Sequence, residues 1–326
     1  MNHIFGPVNS RRLGCSLGVD LFREKVCNLN CIYCEVGATK RLTCDRDEYI
    51  PTADILADID EYCSDQQRVD RLDFITVTAT GEPTLHSGFG AVLRHLKKTV
   101  AKPIAVLTNG TTLDDAGVRK DLALADVVVP SLDSALPESF RKIDRPARCL
   151  DLEAIIHGLI TFSHEYRGKI WLEILLAGGV NDSDEDIAAL LRVVSKMRVD
   201  RVQLNTVARP PLEAYARPLD RERLAAIQEQ FLRDNPDRPV DLLASGVDSE
   251  KARETEKEIE PVQAFSEDEL LDRIVEMLKR RPCTANDIDR TFQLGGSDKV
   301  EQFLAPQLEQ GLLRKKMYGG RTYYQI

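Results

Sequence analysis

The sequence predicts an α/β protein in which a mainly parallel sheet is wrapped by helices and followed by a small module of helices and a hairpin. Three observations carry this reading. From about residue 73 to residue 233, short β-branched apolar runs alternate with helical patterns at the spacing of βαβ units. Most of those strand runs are apolar at nearly every position, as when both faces of a parallel strand are covered. Near residue 246 the composition shifts to a charged stretch, and the helices and hairpin come after it.

Strands are expected at 17–22, 73–78, 104–108, 127–132, 170–176 and 201–205. Helices are expected at 53–63, 89–100, 115–124, 152–166, 184–197 and 220–233, the third weakened by Gly117. Six β/α repeats in this order fit a barrel or partial barrel with its chemistry at the strand C-termini. An open doubly wound sheet has the same periodicity. Residues 247–262 hold six acids, three bases and no aromatic, and read as a solvated linker or a short exposed helix. Beyond it, Leu270, Leu271, Ile274, Val275 and Leu278 share one helix face, and Thr284 is placed to cap a second helix. A Gly295-Gly296 break, a helix at 297–310 ended by Gly311, and a hairpin about Gly319-Gly320 complete the outline of a winged helix-turn-helix. The domains are therefore expected at 1–245 and 264–326, with a linker at 246–263.

Composition narrows the function. Lys+Arg 44 against Asp+Glu 53 gives 44 − 53 = −9, so the chain as a whole is no sponge for polyanions. Hydrophobic residues at 43% and charged ones at 30% describe an ordinary globular protein. No apolar run approaches the roughly 18 residues of a membrane span, and residues 1–14 lack a signal-peptide core, so a cytoplasmic protein without a membrane partner is expected. The eight cysteines are too scattered for a disulfide framework in a chain this long. Three of them, Cys27, Cys31 and Cys34, crowd into one short loop with the spacing C-x3-C-x2-C. Thiolates so placed converge on a soft-metal centre, and three protein ligands leave a coordination position open for substrate. A zinc knuckle completed by a distant ligand, or three unconnected core thiols, are the alternatives.

The C-x3-C-x2-C run with Tyr33 before its last cysteine resembles the signature of the radical S-adenosylmethionine (radical SAM) superfamily. The resemblance implies a partial (β/α)6 TIM-type barrel and a 4Fe-4S cluster on Cys27, Cys31 and Cys34. It further implies that the open iron chelates S-adenosylmethionine, whose reductive cleavage gives methionine and a 5′-deoxyadenosyl radical that abstracts hydrogen from a substrate. An external electron donor of flavodoxin or ferredoxin type would then be a partner. Thr80-Gly81-Glu82-Pro83 after the second strand is similar to the family's Gly-Gly-Glu-Pro turn, with threonine in place of the first glycine. There Gly81 permits close backbone approach and the Glu82 carboxylate suits the methionyl ammonium. Asn109, Ser131 and Asp133 at the next two strand ends match positions that hold the ribose or carboxylate of S-adenosylmethionine, and Val180 matches the apolar residue that packs on adenine. Residues 5–20, with Arg11 and Arg12, resemble a subgroup of iron-sulfur oxidoreductases related to wybutosine synthesis. Cys15 is the one cysteine upstream of the loop, so the second cluster of those enzymes is not written in its usual place.

Glu173, an acid within an apolar strand, needs a partner if buried, either substrate or an arginine. Asn205, Arg209, Pro210 and Pro211 follow the last strand and are candidates for substrate contact. Cys15, Cys44, Cys63, Cys149 and Cys283 show no ligand spacing and read mostly as core thiols. In the C-terminal module, Arg314, Lys315, Lys316 and Arg321 with Tyr318, Tyr323 and Tyr324 suit phosphate contact and stacking; the alternative is that the tyrosines are core and the basic residues a solvated strand face. Yet residues 264–326 carry ten acids and ten bases, and the third helix bears Asp298, Glu301 and Glu309, which disfavours specific DNA binding. An RNA or peptide substrate is expected for a radical SAM enzyme so built. The reading from another class is a nucleic-acid-binding or partner-binding regulator with a structural metal loop.

Overall fold

The computed structural model describes residues 3–10, 12–243 and 266–326. Arg11 and the linker expected at 246–263 lie outside the described residues. Eight strands form one sheet in the order β1-β2-β5-β6-β7-β8-β9-β10. These are β1 (Ile4–Ser10), β2 (Gly14–Asp20), β5 (Phe74–Thr78), β6 (Ile104–Thr108), β7 (Val127–Pro130), β8 (Lys169–Leu176), β9 (Arg201–Thr206) and β10 (Val240–Leu242). Only β1 runs antiparallel. Two short strands, β3 (Val26–Cys27) and β4 (Arg41–Leu42), pair with each other outside this sheet.

The crossovers are helical, as parallel pairing requires. Helices α1 (Thr52–Cys63) and α2 (Gln66–Asp70) lead into β5, α3 (Phe89–Thr99) into β6 and α4 (Ala116–Leu122) into β7. Helices α5 (Pro137–Ile143) and α6 (Leu152–Glu165) lead into β8, α7 (Asp184–Val194) into β9 and α8 (Arg221–Asp234) into β10. The weakened helix at 115–124 forms, because the Asp115 carboxylate caps it at the amide of Gly117. One sheet face sends Ile75, Val77, Val106, Val128, Leu172, Ile174 and Leu204 into the main core under the helices. The other gathers Leu13, Ala105, Val127 and Val129 with Phe74, Leu107 and Trp171. This is the partial (β/α)6 barrel, with β1 and β10 at its two edges.

Strand β1 was not expected. Gly6 and Pro7 within it break a strand pattern, and proline is tolerated there because β1 is an edge whose register shifts between Phe5 and Val8. Helix α5, seven residues long, and β10, three residues long, are too short to show periodicity. The C-terminal module follows the expected outline: α9 (Glu267–Arg280), α10 (Ala285–Phe292), α11 (Ser297–Glu309), then β11 (Arg314–Tyr318) paired with β12 (Arg321–Gln325). Ser266 and Thr284 close capping boxes on α9 and α10. Gly319 and Gly320 turn the hairpin, both at positive φ. The module has its own core of Ile274, Leu278, Ile288, Val300, Leu304 and Tyr324. No helix among the described residues is long and apolar enough to cross a membrane.

The expectation of unpaired cysteines is corrected at one pair: Cys44 and Cys149 form a disulfide across 105 residues, tying the segment after β4 to the loop after α5. Sequence spacing cannot show a pairing set by tertiary approach.

Candidate functional site

The cysteine loop leaves β3 and is fixed by its backbone. Asn30 and Ile32 donate to the carbonyls of Asp144 and Ile143 at the end of α5, and Ala147 donates to that of Asn28. All three cysteines are free thiols. The Cys27 sulfur accepts from the amide of Leu29 at 3.4 Å and faces Nδ2 of Asn109 at 3.7 Å. Cys31 donates to Oδ1 of Asp144 at 3.3 Å, and Cys34 accepts from Nζ of Lys25 at 2.9 Å. Burial pushes the Cys27 thiol up to about 12, and it pushes Cys31 well above the usual thiol range with Asp144 adding to the effect. Thiols held so firmly protonated become ligands only when a metal centre displaces their protons. Among the described residues no three side chains converge on a single metal ion. A cubane, which gives each thiolate its own iron, fits this donor set.

The turn after β5 is sewn to the base of this loop. Val26 donates to the carbonyl of Thr80 at 3.2 Å, and Glu82 donates back to the carbonyl of Val26 at 3.0 Å. Gly81 sits at φ +131°, where a Cβ would lie 1.7 Å from the carbonyl oxygen of Val26. The close approach expected of Gly81 is therefore made to the cysteine loop itself. The Glu82 side chain is almost fully buried; Oε1 accepts from the amide and hydroxyl of Thr84 and from the hydroxyl of Thr108, and Oε2 accepts from the amide of Asn109. Burial still raises its pKa. Those four bonds fix the turn against the end of β6, and Pro83 starts the single 3-10 turn that follows. Asp20, at the end of β2, accepts from both the amide and the hydroxyl of Thr80, which gives the threonine at this position a structural task.

Beyond the loop, one cavity is lined by Leu29, Tyr33, Asn109, Ser131, Asp133 and Asp144 among others. It brings together four of the residues singled out in the sequence. Tyr33 donates its hydroxyl to Oδ2 of Asp133, whose Oδ1 accepts from the amide of Leu175. Burial pushes the Asp133 carboxyl up to about 7, with the charge of Glu173 adding to it. Asn109 bridges to Asn28, whose amide donates to Thr111. Val180 lies outside this lining and packs, as Tyr33 does, against the small buried cluster of Ile32, Ile143, Ala177, Val207 and Ala216. Its neighbour Asn181, not singled out before, is fully buried and joins the carbonyls of Asp133 and Leu175 to the amide of Ala177. Asp144 and Lys25 were also missed, because no local pattern marks them.

Of the two partners expected for Glu173, substrate or an arginine, the structure shows the arginine, Arg12. Two substrate-contact expectations are corrected. Asn205 donates to Glu173 inside the barrel. Arg209 is tied to Asp287, to the carbonyl of Pro282 and to Glu35, which places it in the junction with the C-terminal module. Of the two readings of the hairpin tyrosines, the structure shows the packed one: Tyr318 and Tyr323 donate to the carbonyls of Val207 and Ala208, while Tyr324 is buried in the module core. Arg314, Lys315 and Arg321 remain exposed.

Residues 25–191 match the profile of the radical SAM superfamily. A UPF0026 protein of Synechocystis is 37% identical over 220 residues, which is 67% of this chain and 78% of that protein. A protein of Brachyspira hyodysenteriae named GTPase Obg is 31% identical over 323 residues, 99% of this chain; the chain spans 45% of that relative's length. The present chain has no G-x-x-x-x-G-K-[S/T] phosphate loop. Among solved structures, a radical SAM methyltransferase from Sphaerobacter thermophilus matches with a TM-score of 0.51 at 19% identity, covering 70% of this chain and 66% of that one.

Proposed function

The chain belongs to the radical SAM superfamily, and on that premise we propose that Cys27, Cys31 and Cys34 hold its cluster while the turn of Gly81, Glu82 and Pro83 shapes the seat of the methionyl group. The protein is an enzyme whose cofactors are a 4Fe-4S cluster and S-adenosylmethionine. When bound, the cluster supplies the electron that breaks a carbon–sulfur bond of S-adenosylmethionine.

This chain's residues prepare that step. The observation that carries the reading is the backbone stitching of Val26 to Thr80 and Glu82, which brings the three free thiols and the methionyl turn to one place. Asn109, Ser131 and Asp133 line the neighbouring cavity with groups suited to ribose hydroxyls, and Tyr33 covers it with its hydroxyl on Asp133. Val180, packed against the same small cluster as Tyr33, takes the adenine. Glu82 keeps the turn in shape through its four accepted hydrogen bonds.

The radical acts on an RNA or peptide substrate, with electrons from a flavodoxin or ferredoxin type of carrier in the cytoplasm. Support for a macromolecular substrate is the C-terminal module at 266–326, whose hairpin carries exposed Arg314, Lys315 and Arg321 beside the end of β9; we take 264–326 as a winged helix, 246–263 as its linker and 1–245 as the barrel. The test is anoxic reconstitution with dithionite and S-adenosylmethionine. The enzyme should turn brown and form 5′-deoxyadenosine, and Cys31→Ala should abolish both. Protein that binds one zinc tightly and never takes iron would overturn the reading. Adding RNA or peptide fractions separately should raise 5′-deoxyadenosine in one arm, and no response in either rejects the substrate class.

A further inference from the structure

Lys25 is buried, with 5% of its surface exposed, yet its ammonium has no carboxylate partner among the described residues. Its two contacts are the Cys34 sulfur at 2.9 Å and the carbonyl oxygen of Gly37 at 2.5 Å. A buried cation without a counter-ion is costly. The backbone leaves it little choice of place, because the Lys25 carbonyl accepts from the amides of Lys40 and Arg41 and Val26 is sewn to Thr80. The other charged groups at the thiols are acids: Asp144 touches Cys31, and Glu82 acts on Cys27. Among the described residues Lys25 is the one cation in contact with a cysteine of the loop.

We infer that Lys25 is a positioning residue for electron entry, and that it raises the reduction potential of the centre held by the three cysteines by donating a charged hydrogen bond to the Cys34 sulfur. The inference rests on the cluster assignment above. A 4Fe-4S core of charge +2 with three thiolates carries a net charge of −1, which becomes −2 when one electron arrives from the external carrier. No bond is made or broken at Lys25 and no proton moves there. A fixed positive charge in a buried setting favours the more negative state, and hydrogen bonds to cluster sulfur act in the same direction. The anionic centre in turn supplies the counter-charge that burial of the Lys25 ammonium demands.

A purely structural role is the competing account, since Lys25 also holds the 34–37 turn through Gly37. Three variants of the full chain separate the two. Lys25→Met removes charge and donor, Lys25→Gln removes charge and keeps a donor, and Lys25→Arg keeps both. After anoxic reconstitution, iron and sulfide are counted and the midpoint potential is read by electron paramagnetic resonance during a mediated titration without substrate. Both neutral variants should reduce less readily by at least tenfold in the one-electron equilibrium, about 59 mV more negative. Lys25→Arg should stay within threefold of the unsubstituted protein. Neutral variants with full iron and an unchanged potential overturn the inference, as does an arginine variant that shifts as far as methionine. Neutral variants that take up no iron overturn it too, because Lys25 would then serve assembly. A Cys31→Ala protein that still held four irons would remove the cluster assignment instead, whatever Lys25 does.

Discussion

Arg280 and the buried Asp20 form an ion pair, Nε to Oδ2 at 3.3 Å, that joins the last residue of α9 to the last residue of β2. The Nε hydrogen makes no aligned hydrogen bond, so the contact is electrostatic, and the guanidinium also lies 4.3 Å from the ring of Phe5. Asp20 in turn holds the amide and hydroxyl of Thr80. The C-terminal module is thus two side chains away from the turn assigned to the methionyl group.

Arg280→Ala is therefore expected to do more than loosen the module. Asp20 keeps three hydrogen-bond donors, so the loss of stability should be about 1–3 kcal/mol and below that of a fully orphaned buried charge. Affinity for S-adenosylmethionine, read by equilibrium dialysis on the reconstituted enzyme, should fall several-fold. A drop in denaturant midpoint with unchanged affinity would show that the pair serves docking alone.

Gly81 and Gly179 provide a controlled contrast. Both have positive φ, but a Cβ on Gly81 would collide with the carbonyl of Val26, whereas one on Gly179 would meet nothing within 4 Å. Gly179→Ala should cost only the backbone preference, about 1 kcal/mol. Gly81→Ala must also push β3 away from the turn, and should cost several kcal/mol together with iron uptake. Paired unfolding curves and iron counts decide it; equal effects at the two sites would mean that the stitching of Val26 to the turn is dispensable.

What the sequence made legible was local. C-x3-C-x2-C and Gly81-Glu82-Pro83 are short motifs, and strand periodicity placed them at neighbouring strand ends. What it hid depends on approach across the fold: Lys25 beside Cys34 looks like any surface lysine, and Asp144 reaches Cys31 only because α5 ends against the loop. The need of Glu173 for a partner was legible from its apolar strand, but Arg12, 161 residues away, was not. The basic, tyrosine-bearing hairpin left nucleic-acid contact and packed tyrosines both open, because a sequence does not show that Tyr318 and Tyr323 are spent on carbonyls of the barrel.

Asp133 gives a pH dependence. Its folded carboxyl, pushed up to about 7 by burial, lies above the usual unfolded value near 3.9. The stability it contributes is fully present below that unfolded value and is lost as pH rises through about 7. The metal-free protein should therefore weaken between about pH 4 and 7, by an amount on the order of a few kcal/mol. Asp133→Asn should flatten much of that slope in thermal unfolding, leaving the part due to Asp144, which burial also raises. An unchanged slope in the variant would show that Asp133 is ionised throughout.

The Arg12 and Glu173 pair allows a prediction about the inside of the barrel. Arg12 also lies 3.4 Å from Gln203, and the second oxygen of Glu173 accepts from Asn205 at 3.0 Å, so both charges are enclosed by polar neighbours. Glu173→Gln leaves Arg12 with its charge and without its acid, and should cost about 3–5 kcal/mol. Arg12→Met with Glu173→Leu removes both charges and should recover most of that loss, because the desolvation penalty of each ion disappears together with their attraction. If the pair exists only for stability, the double variant should still form 5′-deoxyadenosine and still turn over substrate. If it meets substrate, turnover should vanish in the double variant while cleavage of S-adenosylmethionine continues.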